Sequence, residues 1–184
     1  DRLPDHFTMY LAGIDYGISN PFIAQLWGLS GGIWYCIKDF EWDSLKQQKQ
    51  KVNSEYLEDL ARLCYTDRPI QPNKLLIPPE EPGFQRECKQ SKHMQLYNVR
   101  DADNAILPGI EDLTTLLSLG KLKIYKKCES TIYGISNLLW DEKKQAQGID
   151  MFIKGGSGAP DHAADCSRYI GREAAKQLRQ MRVL

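Results

Sequence analysis

The sequence predicts an α/β domain built on one mixed sheet, with antiparallel strands first, alternating helices and strands after them, and helices on both faces. Three observations carry that reading. Apolar runs at residues 8–15, 22–29 and 33–40 are separated only by Gly, Ser, Asn and Pro turn residues. From residue 53 the pattern switches to helical spacing that alternates with short apolar runs. Helical patterns close the chain, around residues 130–145 and again after Pro160.

Taken in order, residues 8–15 (TMYLAGID) and 22–29 form a hairpin, and Ser30-Gly31-Gly32 turns the chain into residues 33–40. Residues 41–51 are polar and rich in Lys and Gln, which predicts a solvated, mobile connection. Asn53 or Ser54 is placed to cap a helix reaching about Cys64, with Tyr56, Leu57, Leu60 and Leu63 on one face. Residues 74–77 (KLLI) read as a buried strand that stops at Pro78-Pro79, where backbone donors vanish. Pro82 suits the first turn of a helix running to about Ser91, and residues 94–99 read as the next strand. Pro108 opens a helix with Ile110, Leu113, Leu116 and Leu117 at helical spacing, closed by Gly120. Residues 121–125 form a further strand and residues 130–145 a helix. A glycine-rich loop at 155–158 precedes the final helix, which Pro160 starts.

The bulk properties bound the function. At 184 residues, 42% hydrophobic and 26% charged, the chain makes one domain, 1–184, with a sizeable core. Lys plus Arg and Asp plus Glu stand at 24 each, so the chain is unlike a basic domain that grips nucleic acid by itself. That balance is compatible with a nuclease handed its DNA by a partner. The cysteines (Cys36, Cys64, Cys88, Cys128, Cys166) are odd in number and form no C-x-x-C pair, which favours reduced thiols. No run approaches the ~18 apolar residues of a membrane span, and no signal-peptide or phosphate-loop pattern occurs. The chain opens on Asp1 rather than Met, which leads us to expect a piece of a longer protein.

Three acidic groups are candidates for chemistry. Asp15 ends the first strand inside Gly13-Ile14-Asp15-Tyr16-Gly17, where a carboxylate points into the crevice at a sheet end; a plain turn aspartate before glycine is the alternative. Glu80 and Glu81 follow the strand KLLI and can hold a hard cation through oxygen, or serve as first-turn acids of the helix at Pro82. In Asp161-His162-Ala163-Ala164-Asp165 the two aspartates are four apart on one helical face, with His162 three from Asp165. Such a pair repels unless a cation or a basic group offsets it. Together the three groups have the make-up of a two-metal hydrolase, in which carboxylates hold Mg²⁺ or Mn²⁺ ions ~4 Å apart. Zinc spacing is absent from the His and Cys positions. Arg168, Arg172, Lys176, Arg179 and Arg182 fall along one stripe of the last helix, with Ile170, Ala174, Leu178 and Met181 opposite. The stripe can contact DNA phosphates near a cut site, or form a solvated helix face.

These residues together resemble the C-terminal nuclease domain of the phage large terminase, over nearly the whole chain. Gly13-Ile14-Asp15-Tyr16-Gly17 with Asn20-Pro21 resembles that family's first acidic motif, and Glu81-Pro82-Gly83-Phe84 the segment after its second acidic strand. Ile106-Leu107-Pro108-Gly109-Ile110 followed by Gly120-Lys121-Leu122 resembles its central helix and strand. Asp161-His162-Ala163-Ala164-Asp165-Cys166-Ser167-Arg168-Tyr169 is similar to its D-H-x-x-D-x-x-R-Y signature. The resemblance implies a ribonuclease H-like fold and two-metal cleavage of concatemeric double-stranded DNA with little sequence specificity. It also implies a packaging ATPase domain in the full-length chain, small-terminase and portal partners, and action in the bacterial host cytoplasm at the procapsid. By position, Asp15 and Asp165 become metal ligands, His162 a ligand or acid/base helper and Asp161 an accessory ligand. Many relatives carry an aspartate where this chain has Pro78, so Glu80 or Glu81 has to replace it, with Glu80 favoured by its closeness to the strand. Two readings compete: a docking or DNA-binding module whose acidic site has decayed, and another ribonuclease H-like enzyme of resolvase or transposase type.

Overall fold

The computed structural model describes residues 2–17, 21–139, 141–148 and 160–181. The chain opens with three antiparallel strands, β1 (Met9–Asp15), β2 (Phe22–Ser30) and β3 (Ile33–Trp42). The β2–β3 turn is made by Gly31 and Gly32 at φ 57° and 73°, a left-handed pair that a side chain disfavours. After a short helix α1 (Ser44–Gln47) come α2 (Asn53–Leu63), β4 (Lys74–Ile77), α3 (Pro82–Gln90) and β5 (Val99–Asp101). Then follow α4 (Ile106–Ser118), β6 (Leu122–Ile124), α5 (Glu129–Asn137), α6 (Glu142–Gln145) and the long α7 (Asp161–Met181). The six strands lie in the order β5-β4-β1-β2-β3-β6, with β4 parallel to β1 and to β5, and β6 parallel to β3. This is the predicted mixed α/β sheet.

Strand alternation divides the interior into two layers. Ala12 and Ile14 of β1, with Phe22, Ala24 and Leu26 of β2, pack on Tyr56 and Leu60 of α2 and Phe84 of α3. Leu11 of β1 and Trp27 and Leu29 of β2 face the other way, onto Leu113 and Leu116 of α4 and Tyr169, Ile170 and Ala174 of α7. Asp15 has the parity of Leu11 and Gly13, so it points to the α7 layer.

Several local expectations need correction. Residues 41–51 are no mobile connection: β3 runs on to Trp42, and Asp43 caps α1 by accepting from the Leu45 and Lys46 amides at 3.0 and 3.1 Å. Lys51 is held by Asp59 and lies 4.0 Å from the centre of the Trp42 ring. The residue preceding α2 is Val52, whose amide donates to Glu55; Asn53 sits inside the helix and its side chain is used elsewhere. Residues 94–99 do not form a strand. Met94–Leu96 is a 3₁₀ turn with Met94 exposed, and pairing with β4 begins only at Val99. The predicted helix 130–145 breaks after Asn137, and Asp141 caps a separate α6 through the amides of Lys143 and Lys144. α4 starts at Ile106, with Pro108 inside its first turn. The glycine-rich stretch 155–158 lies outside the described residues, as do Asn20 and Arg182.

α5 comes close to the start of α7 because Gly134 has no side chain. A Cβ there would lie 2.7 Å from the Ala163 Cβ, 2.9 Å from the Ala164 nitrogen and 3.0 Å from the Pro160 oxygen. Alanine gains about 1 kcal/mol of helix propensity over glycine, but overpacking against backbone costs about 1–3 kcal/mol. Gly134→Ala is therefore expected to lower stability in urea unfolding despite its better propensity; a variant more stable than wild type would show that α5 can move away freely.

Candidate active site

The site forms where β1 ends, β4 ends and α7 begins. β1 and β4 run parallel with Gly13 beside Leu76, so two residues further on the register sets Asp15 beside Pro78. The chain must then turn at Pro78-Pro79, and Glu81 hydrogen-bonds back to the Pro78 carbonyl at 3.1 Å before Pro82 opens α3. α7 reaches Asp15 because Gly13 leaves room: a Cβ there would lie 3.1 Å from Ile170 and 3.2 Å from Cys166.

His162 Nδ1 and Asp15 Oδ2 are 2.8 Å apart, across the sheet–helix junction and largely shielded from solvent. Burial pulls the His162 imidazolium pKa down. The hydrogen bond to Asp15 and the charges of Asp15, Asp161 and Asp165 outweigh this, so it stands above the ordinary value. Asp161 is buried at the first turn of α7. Its Oδ1 and the Nε2 of His162 are buried without a hydrogen-bond partner among the described residues.

Asp165 accepts from Nε and Nη2 of Arg168 at 3.1 and 3.0 Å. Arg168 is itself buried, donates to the Ala105 carbonyl at 3.1 Å and lies against the Tyr169 ring. Gly109 makes room for it, since a Cβ there would meet Arg168 Cγ at 2.4 Å. A cleft of about 210 Å³ between α4, α5 and α7 opens beside this ion pair.

The two glutamates part company. Glu80 is exposed and turned outward, both carboxylate oxygens taking the Asn104 amide at 2.6 and 2.7 Å. The Glu81 pKa is raised, by burial first and then by the charges of Glu80 and Asp15, so Glu81 is the one that feels the Asp15 carboxylate.

The basic stripe is not a free surface for phosphate. Arg168 is committed to Asp165. Arg172 bonds Asp103 at 3.0 Å and Asp112 at 2.6 Å, Lys176 bonds Asp103 at 3.0 Å, and Arg179 bonds Asp112 at 3.2 Å. The physical reason is that α7 packs along α4, so its cations meet the acids of α4 and of the β5–α4 loop before they meet solvent. The sequence reading also passed over Gln25 and Ser167, both fully buried, and Tyr16, whose hydroxyl donates to Asn53 at 2.6 Å and so ties down the residue after Asp15. The signal for Gln25 was available: it interrupts the apolar run of β2.

The side chains gathered here are hard oxygen donors with one imidazole, a set suited to Mg²⁺ or Mn²⁺. The unpartnered buried Asp161 oxygen and His162 nitrogen fit such an ion. Among the described residues, no three His, Cys, Asp or Glu side chains stand close enough together to share one as they are placed. A neutral His162 held by Asp15 can move a proton at Nε2.

No protein-family model matches the chain, and no curated protein does either. Among solved structures it is similar to the full-length large terminase of a thermophilic bacteriophage (TM-score 0.80, 30% identity), over 91% of this chain and 40% of that one. It is also similar to the P22 large terminase nuclease domain (TM-score 0.68, 14% identity), over 97% of this chain and 90% of that one. A third is the large terminase nuclease of thermophilic phage G20c with bound magnesium (TM-score 0.63, 16% identity), over 96% and 84%. The chain thus spans two fifths of the length of the first of these proteins. Its structural neighbours are large terminases and their separate nuclease domains, as the motifs led us to expect, and the chain carries the ribonuclease H-like fold of those domains.

Proposed function

We propose that this chain is the nuclease domain of a phage-type large terminase, a metal-dependent endonuclease that cuts concatemeric double-stranded DNA during genome packaging with little sequence specificity. The observation that carries the proposal is the convergence of Asp15, His162, Asp161 and Asp165 at one sheet end, with an unpartnered buried oxygen and nitrogen among them. Its weight comes from the fold, which is that of nuclease domains, one of them with bound magnesium.

Two divalent cations, Mg²⁺ or Mn²⁺, supply an activated water and neutralise the leaving oxygen when bound. Asp15, Asp161 and Asp165 are the oxygen donors that hold them. Glu81 takes the place of the aspartate missing at Pro78, because its carboxyl senses Asp15 whereas Glu80 is engaged by Asn104. Arg168 keeps Asp165 oriented and offsets its repulsion from the other acids. His162, fixed through Nδ1 by Asp15, offers Nε2 as the proton carrier or as a further ligand. A neutral chain whose α7 cations are already paired fits a nuclease that receives its DNA from others: an ATPase domain in the full-length chain, the small terminase subunit and the portal. The setting is the bacterial host cytoplasm, at the procapsid. No described helix is long and apolar enough to cross a membrane.

Pro78 beside Asp15 favours a second reading, a docking or DNA-binding module whose acidic site has decayed. A plasmid-cleavage assay separates the two. We expect nicking that is abolished by EDTA, stronger in Mn²⁺ than in Mg²⁺, and lost in Asp15→Ala and Asp165→Ala by more than the ~10–100-fold that an outer-sphere partner costs. Equal rates in the two metals overturn the manganese preference, and no cutting by the folded protein in any metal points to the decayed module. Among the glutamates, Glu81→Ala should reduce the rate well beyond Glu80→Ala; the reverse order would return the role to Glu80.

A further inference from the structure

β2 reads Phe22-Ile23-Ala24-Gln25-Leu26-Trp27-Gly28-Leu29 before Ser30, so Gln25 interrupts a run of apolar side chains, and it has no exposed surface. A buried amide persists in a core only where its donors and acceptor are satisfied. Here they are satisfied almost wholly by α7. Gln25 Nε2 donates to the Ala163 carbonyl at 3.0 Å and to Ser167 Oγ at 2.9 Å, while the Trp27 indole donates to Gln25 Oε1 at 3.1 Å. The Ser167 hydroxyl lies 2.9 Å from the Ala163 carbonyl and 3.1 Å from Gln25 Oε1, so its proton has an acceptor in either direction.

Ala163 and Ser167 are one turn apart, and Asp165 lies between them. His162 immediately precedes Ala163. Apolar packing of Ile23, Ala163 and Cys166 in the same layer holds α7 against the sheet but is non-directional. Hydrogen bonds to two successive turns are directional and fix both the rotation of the helix and its height along β2. β1 lies next to β2 with Gly13 opposite Gln25, so the same fixing decides whether His162 meets Asp15.

We propose that Gln25 is a positioning residue: with Ser167 it locks the first turns of α7 in the rotation that brings His162 onto Asp15 and sets Asp165 and Asp161 around them. The proposal rests on the nuclease reading in that these acids are the catalytic set, while the geometric statement has its own readout. Gln25→Met removes the amide with little change in volume, and Ser167→Ala removes its partner. Leu60→Val, in the opposite core layer, serves as a control for general loosening.

The whole chain is used, metal-free, for long-range proton–nitrogen NMR of the imidazoles, of which there are three, at His6, His93 and His162. Mn²⁺ binding without DNA is then measured by electron paramagnetic resonance. We expect Gln25→Met to shift the His162 Nδ1 signal from its wild-type position and to weaken Mn²⁺ binding by about 10–100-fold. Ser167→Ala should move both in the same direction by less, and Leu60→Val should move neither. A wild-type His162 signal in Gln25→Met, or equal changes in Gln25→Met and Leu60→Val, overturns the proposal. Should Gln25→Met fail to fold, Ser167→Ala against Leu60→Val decides in the same way. If the wild type binds no Mn²⁺ yet its His162 signal depends on Gln25, the positioning role stands and the nuclease reading falls.

Discussion

The close approach of α7 to β1 and β2 is the constraint on which the rest of the molecule depends. It needs an absent side chain at Gly13, where Ile170 and Cys166 fill the space a Cβ would take. It needs another at Gly134, so that α5 can press on the first turn of the same helix. The apolar stripe of α7 supplies the adhesion through Tyr169, Ile170 and Ala174. Directional bonds from Gln25 supply the orientation. Only with both in place does a histidine on the helix meet an aspartate 147 residues earlier in the chain.

Charge is organised around the same helix. Gathering Asp15, Asp161 and Asp165 at one end creates repulsion that a protein has to offset. Arg168 does so for Asp165 from inside the core, where an ion pair is stronger than at the surface and costly to break from one side. Farther along, Arg172, Lys176 and Arg179 bind Asp103 and Asp112 in more exposed pairs, each contributing on the order of 0–1 kcal/mol. Their value lies more in registering α4 against α7 than in stability. A chain with 24 cations and 24 anions that spends its most ordered basic residues on itself has few left on this helix for a polyanion.

The segment after Asp15 is steadied from the other layer. Tyr16 packs on Phe84 with ring centres 4.7 Å apart and bonds Asn53, which in turn donates to Glu87 of α3. The strap from Trp42 to Lys51 folds onto α2 through Lys51, leading directly into Asn53. Ordered polar contacts in a stretch of Lys and Gln thus support the residue next to the acidic site.

The sequence by itself determined the mixed sheet, most of its strands and the three acidic groups, because apolar periodicity and proline and glycine punctuation are local signals. Asp15 at a strand end and the acids on one face of the last helix follow from parity and from helical spacing. Local pattern also overreached. It extended one helix across residues 130–145, and it read residues 94–99 as a strand, although only residues that find a neighbour in the sheet become one. What the tertiary structure alone decided is which charges meet. The basic stripe looked like a phosphate surface until α4 supplied Asp112 and its preceding loop Asp103. Glu80 and Glu81 were equivalent in sequence until Asn104, from a loop more than twenty residues away, took one of them. Pairing energies depend on distance in space, and spacing along the chain carries no record of which distant partner arrives.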